Sequence, residues 1–227
     1  MAWWDNAGAI DNCVAAYDAI GATSLADSYT DESGSGNDAA LGVAPTWASG
    51  TGWIFNGSSQ YLLSVVLANN YSFICRFSSY VAVGGSGAVA WGSRGDGADA
   101  DMFQYPTRGT SSDWVQHGYG SSGASVAPGI TEGVLALAGS KGYRNGVLDQ
   151  DTAGTWAGNG AAVAIGAFNN NGAVSLYAAL EAQAFAVYSD ILTAGEVASL
   201  TTTMNALAAA GGAGLPVIAQ HWQEFGA

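Results

Sequence analysis

Positive charge is scarce in this chain. Five Lys and Arg stand against 18 Asp and Glu, giving a net charge of −13, and Lys141 is the sole lysine. Binding a phosphate backbone needs clustered cations that displace counterions, and Arg76, Arg94, Arg108 and Arg144 are scattered. That argues against nucleic acid as a partner. An excess of acid favours solubility and a saline or calcium-rich setting. Charge of either sign is limited to 10% of residues, so many side chains must sit in the core, at turns or against other subunits.

Other shortages narrow the reading further. No apolar run reaches the roughly 18 residues of a membrane span, so membrane insertion is not expected. The start, Met1-Ala2-Trp3-Trp4-Asp5-Asn6, lacks the basic and apolar regions of a classical signal peptide. Placement on a virion, or on an extracellular surface without that signal, is the expectation. Histidine is limited to His117 and His221, and no Cys pair has ligand spacing, which argues against zinc. Cys13 and Cys75 read as two buried thiols, and pairing them would need an oxidising history.

What is abundant is apolar residues, at 49%, and glycine, with 33 scattered copies. Short apolar runs alternate with Gly/Ser/Asn/Asp clusters, the pattern of many short strands. Strands are predicted at 14–19, 53–55, 61–66, 72–77, 88–91, 102–105, 114–119, 133–138, 141–144, 162–167 and 180–188. Asn145-Gly146 offers the positive φ angles of a type I′ hairpin, and Asn56-Gly57 reads as a second, similar turn. His117 reads as a polar residue at a strand end.

One helix is predicted. Thr193 and Glu196 form a capping box, with Leu192 and Val197 as a staple around it. Val197, Leu200, Met204 and Leu207 then share a face until Gly211-Gly212. Residues 14–210 form one domain in this reading, with arms at 1–13 and 211–227 that contact neighbouring subunits.

The order of these pieces resembles the laminin-G-like branch of the concanavalin A-like lectin/glucanase superfamily. The residues that carry it are Val14-Ala15-Ala16-Tyr17, the loop Asp31-Glu32-Ser33-Gly34-Ser35-Gly36-Asn37-Asp38, and Phe55-Asn56-Gly57-Ser58-Ser59-Gln60-Tyr61-Leu62. Farther on come the Tyr143–Val147 hairpin, Ala164-Ile165-Gly166, and the run from Ala186 to Val197. The resemblance spans residues 14–205 and implies an all-β jelly roll of two antiparallel sheets with one short C-terminal helix. It also implies that Phe55-Asn56-Gly57-Ser58-Ser59 begins the strand after the Asp31 loop. Members are mostly non-catalytic modules that bind glycans or proteins, many of them in adhesins, enzymes and phage structural proteins.

Three kinds of chemistry are weighed. The glucanases of this fold carry Glu-x-Asp-x-x-Glu on one strand, whereas the corresponding strand here reads Glu181-Ala182-Gln183-Ala184-Phe185-Ala186, with a single carboxylate. No catalytic residue is assigned. Calcium takes oxygen ligands from loops, and two sets offer them: Asp31, Asn37 and Asp38, and Asp96, Asp99 and Asp101. Glycan binding would use an aromatic platform beside amides, for which Trp114, Tyr119, Trp156, Asn169 and Asn170 are the candidates. The first expectation is a structural surface module, a phage decoration or tail protein assembling as an oligomer through its arms. The alternative is a lectin-like carbohydrate-binding module, with calcium as its one possible cofactor.

Overall fold

The computed structural model describes residues 2–5, 12–66, 71–81, 87–95, 101–108, 114–120, 122–155 and 160–210. The strands of the first half are β1 (Cys13–Asp18), β2 (Ala40–Val43), β3 (Thr46–Ala48), β4 (Gly52–Asn56), β5 (Tyr61–Val66), β6 (Ser72–Val81), β7 (Trp91–Arg94) and β8 (Met102–Arg108). The second half adds β9 (Trp114–Tyr119), β10 (Ser122–Val126), β11 (Gly133–Ala138), β12 (Lys141–Arg144) and β13 (Val147–Asp151). It closes with β14 (Ala162–Ile165), β15 (Phe168–Asn170), β16 (Ala173–Ser175) and β17 (Ala179–Tyr188). Among the described residues two helices accompany them, α1 (Leu25–Ser28) and α2 (Ala194–Ala209). Among the described residues no helix is long and apolar enough to cross a membrane.

The strands form two sheets. The first runs β13-β12-β11-β6-β17-β4-β3, with β1 paired to β17. The second runs β10-β9-β8-β7-β14-β5-β2, with the β15–β16 hairpin attached to β7. All pairings are antiparallel except β15 against β7. The expected all-β sandwich with a C-terminal helix is what the chain adopts, with α1 as a second, one-turn helix.

Alternation along the strands builds the layers. On β6, Phe73, Cys75 and Phe77 face the second sheet and join Tyr17, Trp53, Trp91 and Phe185 in the main core. Phe73 and Trp91 stack with ring centroids 4.8 Å apart. β17 sends Leu180, Ala182, Phe185 and Val187 inward and Ala184, Ala186 and Tyr188 outward. An irregularity in the ladder between Ala182 and Ala184 absorbs the break in parity.

The outer face of the first sheet is covered. Small residues there (Ala16, Ala136, Ala184, Ala186) leave room for α2, which lays down Val197, Leu200, Met204 and Leu207. The helix opens on the expected capping box: Thr193 Oγ1 accepts from the Glu196 amide at 3.3 Å and Glu196 Oε2 accepts from the Thr193 amide at 2.7 Å. Trp3 and Trp4 join the same layer, and the Tyr188 hydroxyl donates to the Trp4 carbonyl at 2.9 Å. Residues 2–5, expected in an arm, thus lie against the domain. The second arm, 211–227, and its Gly211-Gly212 stop fall outside the described residues.

Both thiols are buried and free. Cys75 lies between the sheets and Cys13 on the outer side of the first sheet, so the sheet itself separates them. Burial pushes each thiol up to about 12, which makes both inert near neutral pH.

Two turn expectations have different outcomes. Asn145 and Gly146, at φ 52° and 81°, close the β12–β13 hairpin. Asn56-Gly57 does not make a hairpin, because β4 and β5 belong to different sheets. There Asn56 Oδ1 accepts from the amides of Ser58 and Ser59 at 2.9 and 3.0 Å, folding a loop that carries the chain across. The segment therefore ends β4, and β5 begins only at Tyr61.

Candidate functional site

Among the described residues no helix packs on the outer face of the second sheet along β8, β9 and β10. Across the ladder there, Gly123 pairs with Gly118, Gly118 with Phe103, and Phe103 with Gly92. The half-buried Phe103 ring lies over a floor without side chains. A β-carbon at Gly118 would stand 2.3 Å from that ring, and one at Gly92 would stand 2.8 Å from Phe103 Cβ.

Beside this floor the face turns aromatic and polar. Phe103 meets Tyr105 and Phe168 edge-on, at 5.2 and 6.0 Å between centroids. Arg108 sits over the Tyr105 ring at 5.3 Å and donates through Nη1 to Gln116 Oε1. Trp114 is the ladder partner of Arg108 and is 37% exposed. At the other end of the face, Arg94 pairs with Asp101 at 3.1 Å. Burial raises the Asp101 carboxyl, and the Arg94 charge opposes the rise.

The reverse side of the same strands carries a buried polar cluster. His117, expected at a strand end, is fully buried between the sheets, because β9 alternates and puts it beside Val115 and Tyr119. Gln104 Nε2 lies 2.7 Å from both the Ala136 carbonyl and His117 Nδ1. A carbonyl only accepts, so the amide nitrogen faces it and Nδ1 is an acceptor too. The ring proton then sits on Nε2 and is donated to Asp149 Oδ2 at 3.1 Å. Arg144 Nη2 completes the set on Asp149 Oδ1 at 2.6 Å. Gly142 makes room for the imidazole, since a β-carbon there would stand 2.2 Å from it.

The residues proposed for glycan contact are dispersed. Trp114 stands on the open face. Tyr119 does not: it points into the main core and is 4% exposed. Asn169 is buried, with Nδ2 donating to the Ala162 carbonyl and Oδ1 accepting from the Gly172 amide, both at 2.8 Å. Asn170 is exposed in the β15–β16 hairpin, where its ladder partner is Arg94. Trp156 lies outside the described residues. Phe103, Arg108 and Gln116 were not singled out in the sequence, although the i, i+2 spacing of Trp114 and Gln116 placed those two on one face.

The oxygens of the first calcium set are engaged by the protein. Asp31 accepts from the amides of Ala16, Ser33 and Asn37 at 2.9, 2.8 and 2.9 Å, and from the Ser33 hydroxyl at 2.9 Å. Burial acts to raise its carboxyl, and these hydrogen bonds outweigh it and hold the group below the usual range. Asn37 Nδ2 donates to the Val14 carbonyl at 2.6 Å, and Asp38 Oδ1 accepts from the Asp31 amide at 2.8 Å. In the second set Asp96 and Asp99 lie outside the described residues, and Asp101 faces Arg94. Among the described residues no group of three or more His, Cys, Asp or Glu is arranged to hold a metal ion.

Glu32, next in the loop, is exposed along its length, but its carboxyl end accepts from the Trp3 indole at 2.9 Å. Burial of that end, with Asp18, Asp27 and Asp31 nearby, pushes the group up to about 7. The folded protein then holds this proton more tightly than the unfolded chain. The stability it adds is complete below about pH 4.5 and drains as pH rises through about 7. Glu32→Gln, which keeps the acceptor for Trp3, is expected to raise the melting temperature at pH 8 and leave it nearly unchanged at pH 4. Solvent screening keeps the gain below about 1 kcal/mol. Melting curves of both proteins across that range provide the check.

Two further places complete the survey. Glu181 Oε2 accepts from the hydroxyls of Ser78 and Ser79 at 2.8 and 2.9 Å, linking β17 to β6. A recess of about 380 Å³ lies on the other sheet between the β11–β12 turn and the start of α2, lined by Ser140, Lys141, Tyr143 and Ile191 among others. Thr193, which lines its helix end, is engaged in the capping box with Glu196, and the Ser140 hydroxyl donates to Asp151 Oδ1 at 2.7 Å.

No family model matches the chain, and no curated protein does. Solved structures do share its fold. Domain 4 of AbnA, a GH43 extracellular arabinanase from Geobacillus stearothermophilus solved in complex with arabinotriose, is 16% identical with a TM-score of 0.61. That match covers 84% of this chain and 98% of that domain. Trypanosoma rangeli sialidase in complex with sialic acid is 13% identical with a TM-score of 0.58, over 86% of this chain. The match spans only 33% of the sialidase. At such identities the likeness is one of architecture, and the chain is an all-β sandwich of two antiparallel sheets.

Proposed function

We propose that this chain is a non-catalytic carbohydrate-binding module that presents the outer face of its second sheet to a glycan. The observation that carries the reading is the grouping of Trp114, Phe103, Arg108 and Gln116 around a glycine floor, on a face that no helix covers among the described residues. A sugar ring offers an apolar C–H surface and a rim of hydroxyls. An aromatic platform beside fixed polar groups meets both needs. The arabinotriose-bound domain of like fold supports the reading by analogy of architecture. Binding without hydrolysis is favoured because Glu181, the one carboxylate of the late strand, is tied to two serines.

Trp114→Ala tests the proposal. It should weaken binding on a glycan array by at least about 30-fold, since an aromatic anchor contributes about 2 kcal/mol or more. The melting temperature should change little, because the ring is already partly in water. Unchanged binding would move the site off this face. Repeating the array with a chelator tests the calcium expectation in the same experiment.

Assembly into a surface or virion structure is a second reading. Val147 and Leu148, 70% and 50% exposed on the edge strand β13, favour it. Analytical ultracentrifugation of the full chain over a concentration series distinguishes a self-associating protein from a monomer.

A further inference from the structure

We infer that the glycan held on this face carries a carboxylate, and that Arg108 recognises it. The inference rests on the glycan-binding reading and adds the class of sugar. It begins from the scarcity of cations. Of the five basic residues, Arg144 is committed to Asp149 and Arg94 to Asp101. Arg76 donates to the carbonyls of Phe77 and Gly133 on the first sheet, and Lys141 stands exposed on that sheet at the start of β12. Arg108 is the cation left on the open face with no carboxylate partner among the described residues.

Its surroundings orient the guanidinium and leave its charge in place. The Tyr105 ring lies beneath it, and Gln116, a neutral acceptor, holds Nη1. An arginine presents five N–H donors in a planar fork, and among the described residues that single bond uses one of them. A planar fork fits a carboxylate through two parallel bonds, which a lysine ammonium does not reproduce. Trp114, the ladder partner of Arg108, sets an aromatic surface directly beside it. In a sugar acid the carboxylate is attached to the ring, so ring stacking and charge recognition must be neighbours. Here they are.

The rest of the chain sharpens the point. A net charge of −13 repels anions at long range, and at physiological salt that field fades over about 8 Å. An arginine on this face with no carboxylate partner among the described residues is therefore a short-range recognition element. A neutral glycan gains little from it and must displace its water.

The test compares each acid with its neutral counterpart. Isothermal titration of the full chain would use oligogalacturonate against its methyl ester, and sialyllactose against lactose, which separates a uronic from a nonulosonic acid. We expect at least one acid to bind tenfold or more tightly than its counterpart. Arg108→Ala should bring that ratio to about one, with acid binding falling tenfold or more beyond any loss shared by the neutral counterpart. Arg108→Lys should recover less than half of the lost ratio on a logarithmic scale. Circular dichroism melts of both variants would establish that they fold. Equal binding of acid and neutral forms, or a ratio that survives Arg108→Ala, overturns the inference and leaves the glycan reading standing. A preference for sulfated over carboxylated sugars overturns it too. Absence of binding by every probe removes both.

Discussion

Asp149→Ala is expected to cost about 3–5 kcal/mol of stability, a loss typical of breaking a buried ion pair by removing one partner. The Asp149 side chain is only 6% exposed, and it serves Arg144 and His117 at once. Without it, the half-buried guanidinium faces no counter-charge and the His117 Nε2 proton has no acceptor. Water cannot readily replace the carboxylate, since His117 is fully buried between Gln104 and Gly142. Urea denaturation would read the effect as a lower midpoint. Asp149→Asn should fall between, because it keeps an acceptor for one partner and loses the charge. A cost below about 1 kcal/mol for the alanine variant would mean that the two sheets hold together at this end through apolar contact alone.

The second large effect is expected at Asp31. Asp31→Asn keeps one acceptor oxygen and turns an amide toward donors that now have nothing to bond. The loss should be about 2–4 kcal/mol at pH 7, as expected for hydrogen bonds to a charged acceptor. Its pH dependence follows from the carboxyl being held below its usual range in the fold. The stability it supplies is complete above the unfolded value near 3.9 and disappears as pH falls through the folded one. The gap between variant and parent should therefore narrow as the solution is taken from pH 7 toward pH 3. If instead a calcium ion bridges Asp31, Asn37 and Asp38, calcium would raise the melting temperature of the parent and a chelator would lower it.

Much of the sandwich is legible in the chain. Phe73-Ile74-Cys75-Arg76-Phe77 alternates cleanly, and the Thr193–Glu196 box announces α2. The strands that the sequence does not mark are β2, β3, β10, β13, β15 and β16, which are short, border or attach to a sheet and, apart from β15, are partly or largely exposed. β2 and β15 pair with strands farther off in the chain, and β3, β10, β13 and β16 each lean on a sequence neighbour, but none carries a local apolar pattern strong enough to mark it. The site was harder to read. Trp114 and Tyr119 are five residues apart, and on a strand that odd separation puts them on opposite faces. The same parity grouped His117 with Val115 and pointed inward. The pairing of His117 with Asp149 had no such signal, because it depends on which strands the two sheets bring together.

That parity has a consequence for ligand capture. One strand, β9, holds Trp114 and Gln116 toward solvent while His117, two positions from Trp114's neighbour Val115, is bolted to the opposite layer. A platform fastened from behind has few motions to surrender when something lands on it. Ordering a loose side chain on association costs about 0.5–1.5 kcal/mol, and a pre-stiffened surface avoids part of that toll. If this face binds a glycan as proposed, weakening the fastening at Asp149 should blunt capture as well as stability, even though that carboxylate belongs to the opposite sheet.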